Sequence, residues 1–98
     1  MPYTAKFGPD ASNHLRSLRA YDRAIVMAAI AQHLPHEPNF ETRHRKLLAT
    51  NPLAQWELRV GDFRVLYDVI ESVSEIRVVA IGRKQHDRLF IGGVEYTL

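Results

Sequence analysis

Apolar and polar residues change period several times along the chain, and each change marks an element. Tyr3 to Phe7 alternates as a short strand, and Gly8-Pro9-Asp10 punctuates it. Asp10 suits the cap of a helix running to Leu18, with Leu15 and Leu18 at helical spacing. A second helix is predicted from Asp22 to Leu34. There Ile25, Ala28, Ala29 and Gln32 fall on one stripe, Val26 and Ile30 widen it, and Pro35 stops the pattern.

The stretch from Pro35 to Pro52 has little periodicity and reads as a long connector with a turn around Leu47-Leu48. Beyond it, Trp56-Glu57-Leu58-Arg59-Val60 and Phe63-Arg64-Val65 both alternate, and the intervening Gly61-Asp62 suits a type II′ hairpin turn with glycine first. Ile76 to Gly82 is almost wholly apolar apart from Arg77, as a central strand covered on both faces requires. Gly92-Gly93 fits either a further hairpin or a mobile tail. The order is strand, two helices, connector and three-stranded meander. It predicts an α+β fold, β-α-α-β-β-β, with the two N-terminal helices packed on a mainly antiparallel sheet.

The length of 98 residues allows one domain spanning 1–98, and a chain of this size buries about two thirds of its unfolded surface. With 46% hydrophobic and 24% charged residues it is not of disordered composition. Cysteine is absent, which excludes disulfides, thiolate metal sites and a cysteine nucleophile. The longest apolar run, Ala24 to Ala31, is far shorter than the ~20 residues of a membrane helix, and no signal-peptide pattern opens the sequence. The chain therefore reads as cytoplasmic, with no membrane partner. Net charge is only +2 and the pI about 9.2. The bases are nonetheless unevenly placed, at Arg43, Arg45, Lys46, Arg59, Arg64, Arg77, Arg83, Lys84 and Arg88, which points to a polyanion-facing surface.

If Gly61-Asp62 is the turn, antiparallel pairing sets Val60 opposite Phe63, Arg59 opposite Arg64, Leu58 opposite Val65 and Trp56 opposite Tyr67. Trp56, Leu58, Val60, Phe63, Val65, Tyr67 and Val69 then face the core, and Glu57, Arg59, Arg64, Leu66 and Asp68 face away. Opposed like charges cost up to about 1 kcal/mol in a sheet. Either Glu57 and Asp68 neutralise the arginines, or the arginines converge on a phosphate, which their planar forks can bind in bidentate fashion. The segment Gly82–Phe90 adds Arg83, Lys84, His86 and Arg88, as a solvated charged loop or as part of the same surface. Imidazole exchanges protons near neutral pH, so His86 is a candidate for acid–base work. Among the other histidines, His33, His36 and His44 lack a zinc-site spacing, Pro35 separates the first pair, and no metal is expected. No glycine-rich phosphate loop or serine-nucleophile motif occurs.

The run Trp56 to Tyr67, followed by Ile81-Gly82-Arg83-Lys84 and set in this order of elements, resembles the RelE/ParE superfamily of bacterial type II toxins over nearly the whole chain. The resemblance implies a toxin held inactive by a cognate antitoxin, the pair together binding operator DNA. For the RelE-like branch it implies entry into the ribosome and cleavage of mRNA without metal or other cofactor. In that chemistry the ribose 2′-OH attacks the adjacent phosphate, so one proton must be removed, added negative charge stabilised and the leaving oxygen protonated.

Carried across by position, Arg64 matches the arginine of the second hairpin strand and Arg59 a basic position on the first. Lys84, or Arg83 one step earlier, matches the base after the last strand, and His86 lies where several members carry a catalytic or substrate-contacting base. Arg43, Arg45, Lys46, Arg83 and Arg88 are then expected to contact RNA. Two positions depart: Glu57 stands where well-known nucleases of the family have lysine, and Phe90 where they have tyrosine. The ParE-like branch, which acts on DNA gyrase, needs no acid–base set. A non-toxic relative binding antitoxin or nucleic acid is the third reading.

Overall fold

The computed structural model describes residues 2–97. Within them the chain forms β1 (Thr4–Phe7), α1 (Pro9–Ser17), α2 (Ala20–His33), β2 (Arg45–Leu47), β3 (Trp56–Val60) and β4 (Phe63–Ile70). A 3-10 turn (Glu71–Val73) leads into β5 (Glu75–Gln85), β6 (Arg88–Ile91) and β7 (Val94–Tyr96). The α+β expectation holds: two helices pack on a seven-stranded, mostly antiparallel sheet of order β2-β3-β4-β5-β6-β7, with β1 added in parallel to β5.

β5 organises the sheet. β4 pairs along one of its edges, while β1 and β6 share the other, β1 against Glu75–Val78 and β6 against Arg83–Gln85. In the gap between those two partners the Ile81 N–H donates instead to His14 Nδ1 of α1, at 3.2 Å. A sheet amide left without a strand partner thus anchors a helix to the sheet.

Both faces of β5 are covered, as an apolar central strand demands. On the helix side Val26, Ile30 and Leu34 meet Leu58, Val65, Tyr67, Ile76 and Val78. On the other side Leu66, Ala80, Leu89 and Ile91 gather under Ala54, with Leu48 and Leu53 packed against them. Each large side chain so buried contributes about 1.5–3 kcal/mol.

Several sequence expectations are corrected. The residue preceding α1 is Gly8, not Asp10; Pro9 opens the helix and Asp10 sits in its first turn, where a carboxylate favours the helix dipole. α2 is rotated from the predicted stripe: Asp22, Val26 and Ile30 are buried, while Ile25 and Met27 are each 40% exposed, and Ala28 and Gln32 face outward. The helix is apolar nearly all round, so its sequence pattern leaves the rotation open. In the structure Asp22 shares the buried row with Val26 and Ile30 and lies 3.2 Å from Arg19 and 3.6 Å from Arg83 of β5. Gly92-Gly93, with φ 59 and 81, forms a hairpin turn between β6 and β7, and Gly82–Phe90 belongs to a second hairpin rather than a charged loop.

The connector contains β2, paired antiparallel with β3, which its lack of periodicity conceals. Two buried side chains hold the rest of it. Tyr67 Oη donates to the Pro38 carbonyl at 2.8 Å, and Arg45 donates to the carbonyls of Phe40 (3.0 Å) and His33 (2.7 Å). Burial pushes the Tyr67 phenol far above its ordinary range, with Arg45 opposing weakly, so it remains a donor throughout the accessible pH range. Among the described residues no helix is long and apolar enough to cross a membrane.

The rings of His33 and His44 lie 4.7 Å apart, tilted by 38°, beside this clamp. Burial, then the charges of His44 and Arg45, hold the His33 imidazole below its ordinary value of 6.5. The folded state therefore binds this proton less readily than the unfolded chain. The contribution is complete above 6.5 and is lost as pH falls through that value toward the lower folded one. Thermal unfolding is expected to shift downward between about pH 7.5 and about pH 5, and by less in His33→Gln.

Candidate functional site

The predicted hairpin register is the observed one: Trp56 pairs with Tyr67, Leu58 with Val65, Arg59 with Arg64 and Val60 with Phe63. Gly61 takes φ 57 at the first turn position, as its placement in a II′ turn requires. The face turned away from the helices carries three short rows of side chains. Lys46, Glu57 and Leu66 lie side by side across β2, β3 and β4, and Arg59, Arg64 and Gly82 across β3, β4 and β5. Lys84, Leu89 and Tyr96 lie across β5, β6 and β7. Gly82 is where β6 closes on β5; a Cβ there would stand 2.8 Å from the Phe90 carbonyl oxygen.

These rows enclose a cleft of about 220 Å³ lined by Lys46, Glu57, Arg59, Lys84, Arg88 and Tyr96, with Asp87 and Glu95 at its rim. Glu57 is the floor, only 5% exposed. Its Oε2 accepts from Arg59 Nε at 3.1 Å, and its Oε1 lies 3.9 Å from Arg64 Nε. Arg64 is drawn back from the cleft, its Nη1 donating to the carbonyls of Gly61 (2.7 Å) and Phe63 (2.8 Å). Its buried Nε has no hydrogen-bond partner. Glu57 thus lies between the opposed arginines and offsets one of their two charges. Asp68, the other carboxylate expected to share that task, accepts the Gln55 N–H at 2.8 Å instead.

The remaining predicted positions divide. Arg88 lines the cleft and is 3.8 Å from Glu95; among the described residues neither Lys46 nor Lys84 makes an ion pair. Arg83 points to the helix side, its guanidinium 4.4 Å above the Phe63 ring and 3.6 Å from Asp22, so register alternation gives the cleft Lys84 and not Arg83. Phe90, paired with Arg83, also lies on that side. Arg43 is exposed on the connector, whereas Arg45 is buried in the clamp and unavailable to a ligand. His86 is exposed at the tip of the β5–β6 hairpin, outside the cleft, where it and Asp87 take φ 50 and 66. Sequence reasoning passed over Tyr96; the alternation Val94-Glu95-Tyr96 after the paired glycines is the signal that places it on the cleft side.

The backbone of this molecule superimposes on a chain of the toxin–antitoxin complex RelBE2 from Mycobacterium tuberculosis with a TM-score of 0.69. That likeness runs at 24% identity over 86% of this chain and 100% of the other. It superimposes on a chain of the archaeal RelE–RelB complex from Pyrococcus horikoshii with a TM-score of 0.69, at 20% identity over 88% of this chain and 99% of the other. The chain has the RelE fold. No family model and no curated protein matches the sequence. On the RelE fold of this chain, then, the sheet face opposite the helices presents the cationic cleft, and the helices and β1 lie behind it.

Proposed function

We propose that this chain is the toxin of a type II toxin–antitoxin pair and acts by cutting mRNA on the ribosome. The observation that carries the reading is the convergence of Lys46, Arg59, Lys84 and Arg88, from four different strands, on one cleft of a RelE fold. Four cations against three carboxylates leave a formal excess of one positive charge, and the two lysines make no ion pair among the described residues. That arrangement suits the strongly charged backbone of RNA. Arg59 stabilises the charge that develops on the phosphate, and Lys84 delivers a proton to the leaving oxygen. Tyr96 offers the cleft its aromatic face for a base to stack on.

The antitoxin is proposed to cover the opposite side. There α2 leaves Tyr21 72% exposed beside Ile25 and Met27. Between α2 and β1 runs an apolar groove of about 280 Å³, lined by Tyr3, Phe7, Met27 and Ala31. A patch of this kind on an otherwise charged surface marks a protein contact.

Induction of the chain alone is expected to arrest growth, with translated mRNA cut at codon-spaced positions. Co-expression of an acidic partner encoded in a small neighbouring frame should relieve the arrest. The withdrawal of Arg64 and the exposed position of His86 favour one second reading, a ParE-like inhibitor of DNA gyrase. Growth arrest with intact mRNA and inhibited gyrase would select it, and no arrest by well-folded chain would leave a non-toxic binder.

A further inference from the structure

We propose that Glu57 is the general base of the cleft, the group that takes the ribose 2′-OH proton; this rests on the cleavage reading above. The reaction needs a proton acceptor, and arginine and lysine side chains carry their protons at neutral pH. The cations of the cleft therefore cannot begin the reaction. Among the described residues no histidine lines the cleft: His86 is at the hairpin tip, and His14 is held by the Ile81 N–H on the helix side.

Three carboxylates remain. Asp87 is in the exposed turn, and Glu95 is exposed and paired with Arg88. Glu57 alone lies on the floor between the arginines. Its two oxygens are unequal: Oε2 is held by Arg59 at 3.1 Å, whereas Oε1 accepts no hydrogen bond among the described residues and lies 3.9 Å from Arg64 Nε. One oxygen fixes the orientation and the other is free to receive a proton. A carboxylate at this position thus supplies the proton acceptor that a protonated lysine would not.

In the step, the 2′-OH proton passes to Glu57 Oε1 as the O2′–P bond forms. The P–O5′ bond breaks, and O5′ takes a proton from Lys84 Nζ. The products are a 2′,3′-cyclic phosphate and a 5′-hydroxyl, and solvent restores both side chains.

The test compares the full chain with Glu57→Gln and Glu57→Asp on ribosomes carrying a defined mRNA, in single turnover. A second measurement is binding to ribosomes carrying the same message with a 2′-deoxy nucleotide at the cut. Glu57→Gln keeps the bond to Arg59 but not the basicity. It is expected to cut about 100-fold more slowly or worse, the usual worth of a positioned base, with binding essentially retained. Glu57→Asp, which keeps a carboxylate, should cut faster than Glu57→Gln even where its own stability is reduced. Cleavage by a folded Glu57→Gln within about threefold of the parent overturns the proposal, as does an Asp variant no faster than Gln. A parent chain that cuts no message overturns the cleavage reading itself, and Glu57's role with it.

Discussion

Lys84→Met is expected to slow mRNA cleavage by about 100-fold or more, the typical contribution of a general acid, while leaving the stability of the chain unchanged. The two halves of this expectation have separate sources. Lys84 lines the cleft and has no ion pair among the described residues, so removing its ammonium disturbs no partner. Its structural contribution is made by its backbone, whose N–H donates to the Asp62 carbonyl at 2.8 Å and whose register opposite Leu89 is independent of the side chain. Methionine keeps the aliphatic stem and loses only the proton and the charge. Lys84→Arg separates those two, because guanidinium keeps the charge and is too weak an acid to give its proton away. It should bind message normally and still cut slowly. Equal rates for the parent and Lys84→Met, with both proteins folded, would remove Lys84 from the reaction.

Arg45→Ala is expected to act in the opposite way, costing about 3 kcal/mol of stability and so lowering the melting temperature by roughly 12 °C or more. Arg45 is buried and its guanidinium donates to the carbonyls of His33 and Phe40. Deleting it leaves both acceptors without that donor, and it removes a cation from beside the buried Tyr67 hydroxyl. The neighbouring Arg43→Ala, at an exposed position, should alter stability by less than about 0.5 kcal/mol. Chemical denaturation of the two variants checks the contrast directly. Similar small effects at both positions would mean that Arg45 does not hold the connector.

That pair of arginines also shows where the sequence is legible. Arg43, Arg45 and Lys46 are one basic cluster by composition, and only the alternation of β2 sends Arg45 inward and Lys46 into the cleft. A three-residue strand with two charges carries no periodicity from which that could be read. The Trp56–Tyr67 hairpin was legible to the residue because alternation, a two-residue glycine turn and a buried face all specify one register. The same alternation predicted Arg59 opposite Arg64, and it correctly made Glu57 a neutralising partner.

What alternation could not supply was depth. Nothing in the sequence says that Arg64 is retained by the turn carbonyls while Glu57 forms the floor. The rotation of α2 was lost for a related reason. With apolar residues on nearly every side, the contacts that fix it are with distant parts of the chain, Asp22 with Arg83 and Val26 and Ile30 with the sheet core. The place of Tyr96 depends on whether Gly92-Gly93 forms a hairpin, and that of His86 on the tight β5–β6 turn at His86-Asp87, choices that local residues leave open and that the strands of the assembled sheet decide.

If the cleft between β2 and β7 cuts RNA, the ends left on a ribosome-bound message will show it. Purified chain, free of any antitoxin, is added to ribosomes carrying a defined message, and the ends of the products are mapped. Cuts are expected at codon-spaced positions with 2′,3′-cyclic phosphate and 5′-hydroxyl ends, strongly reduced for Lys84→Met. An intact message in the presence of folded chain would contradict cleavage by this cleft.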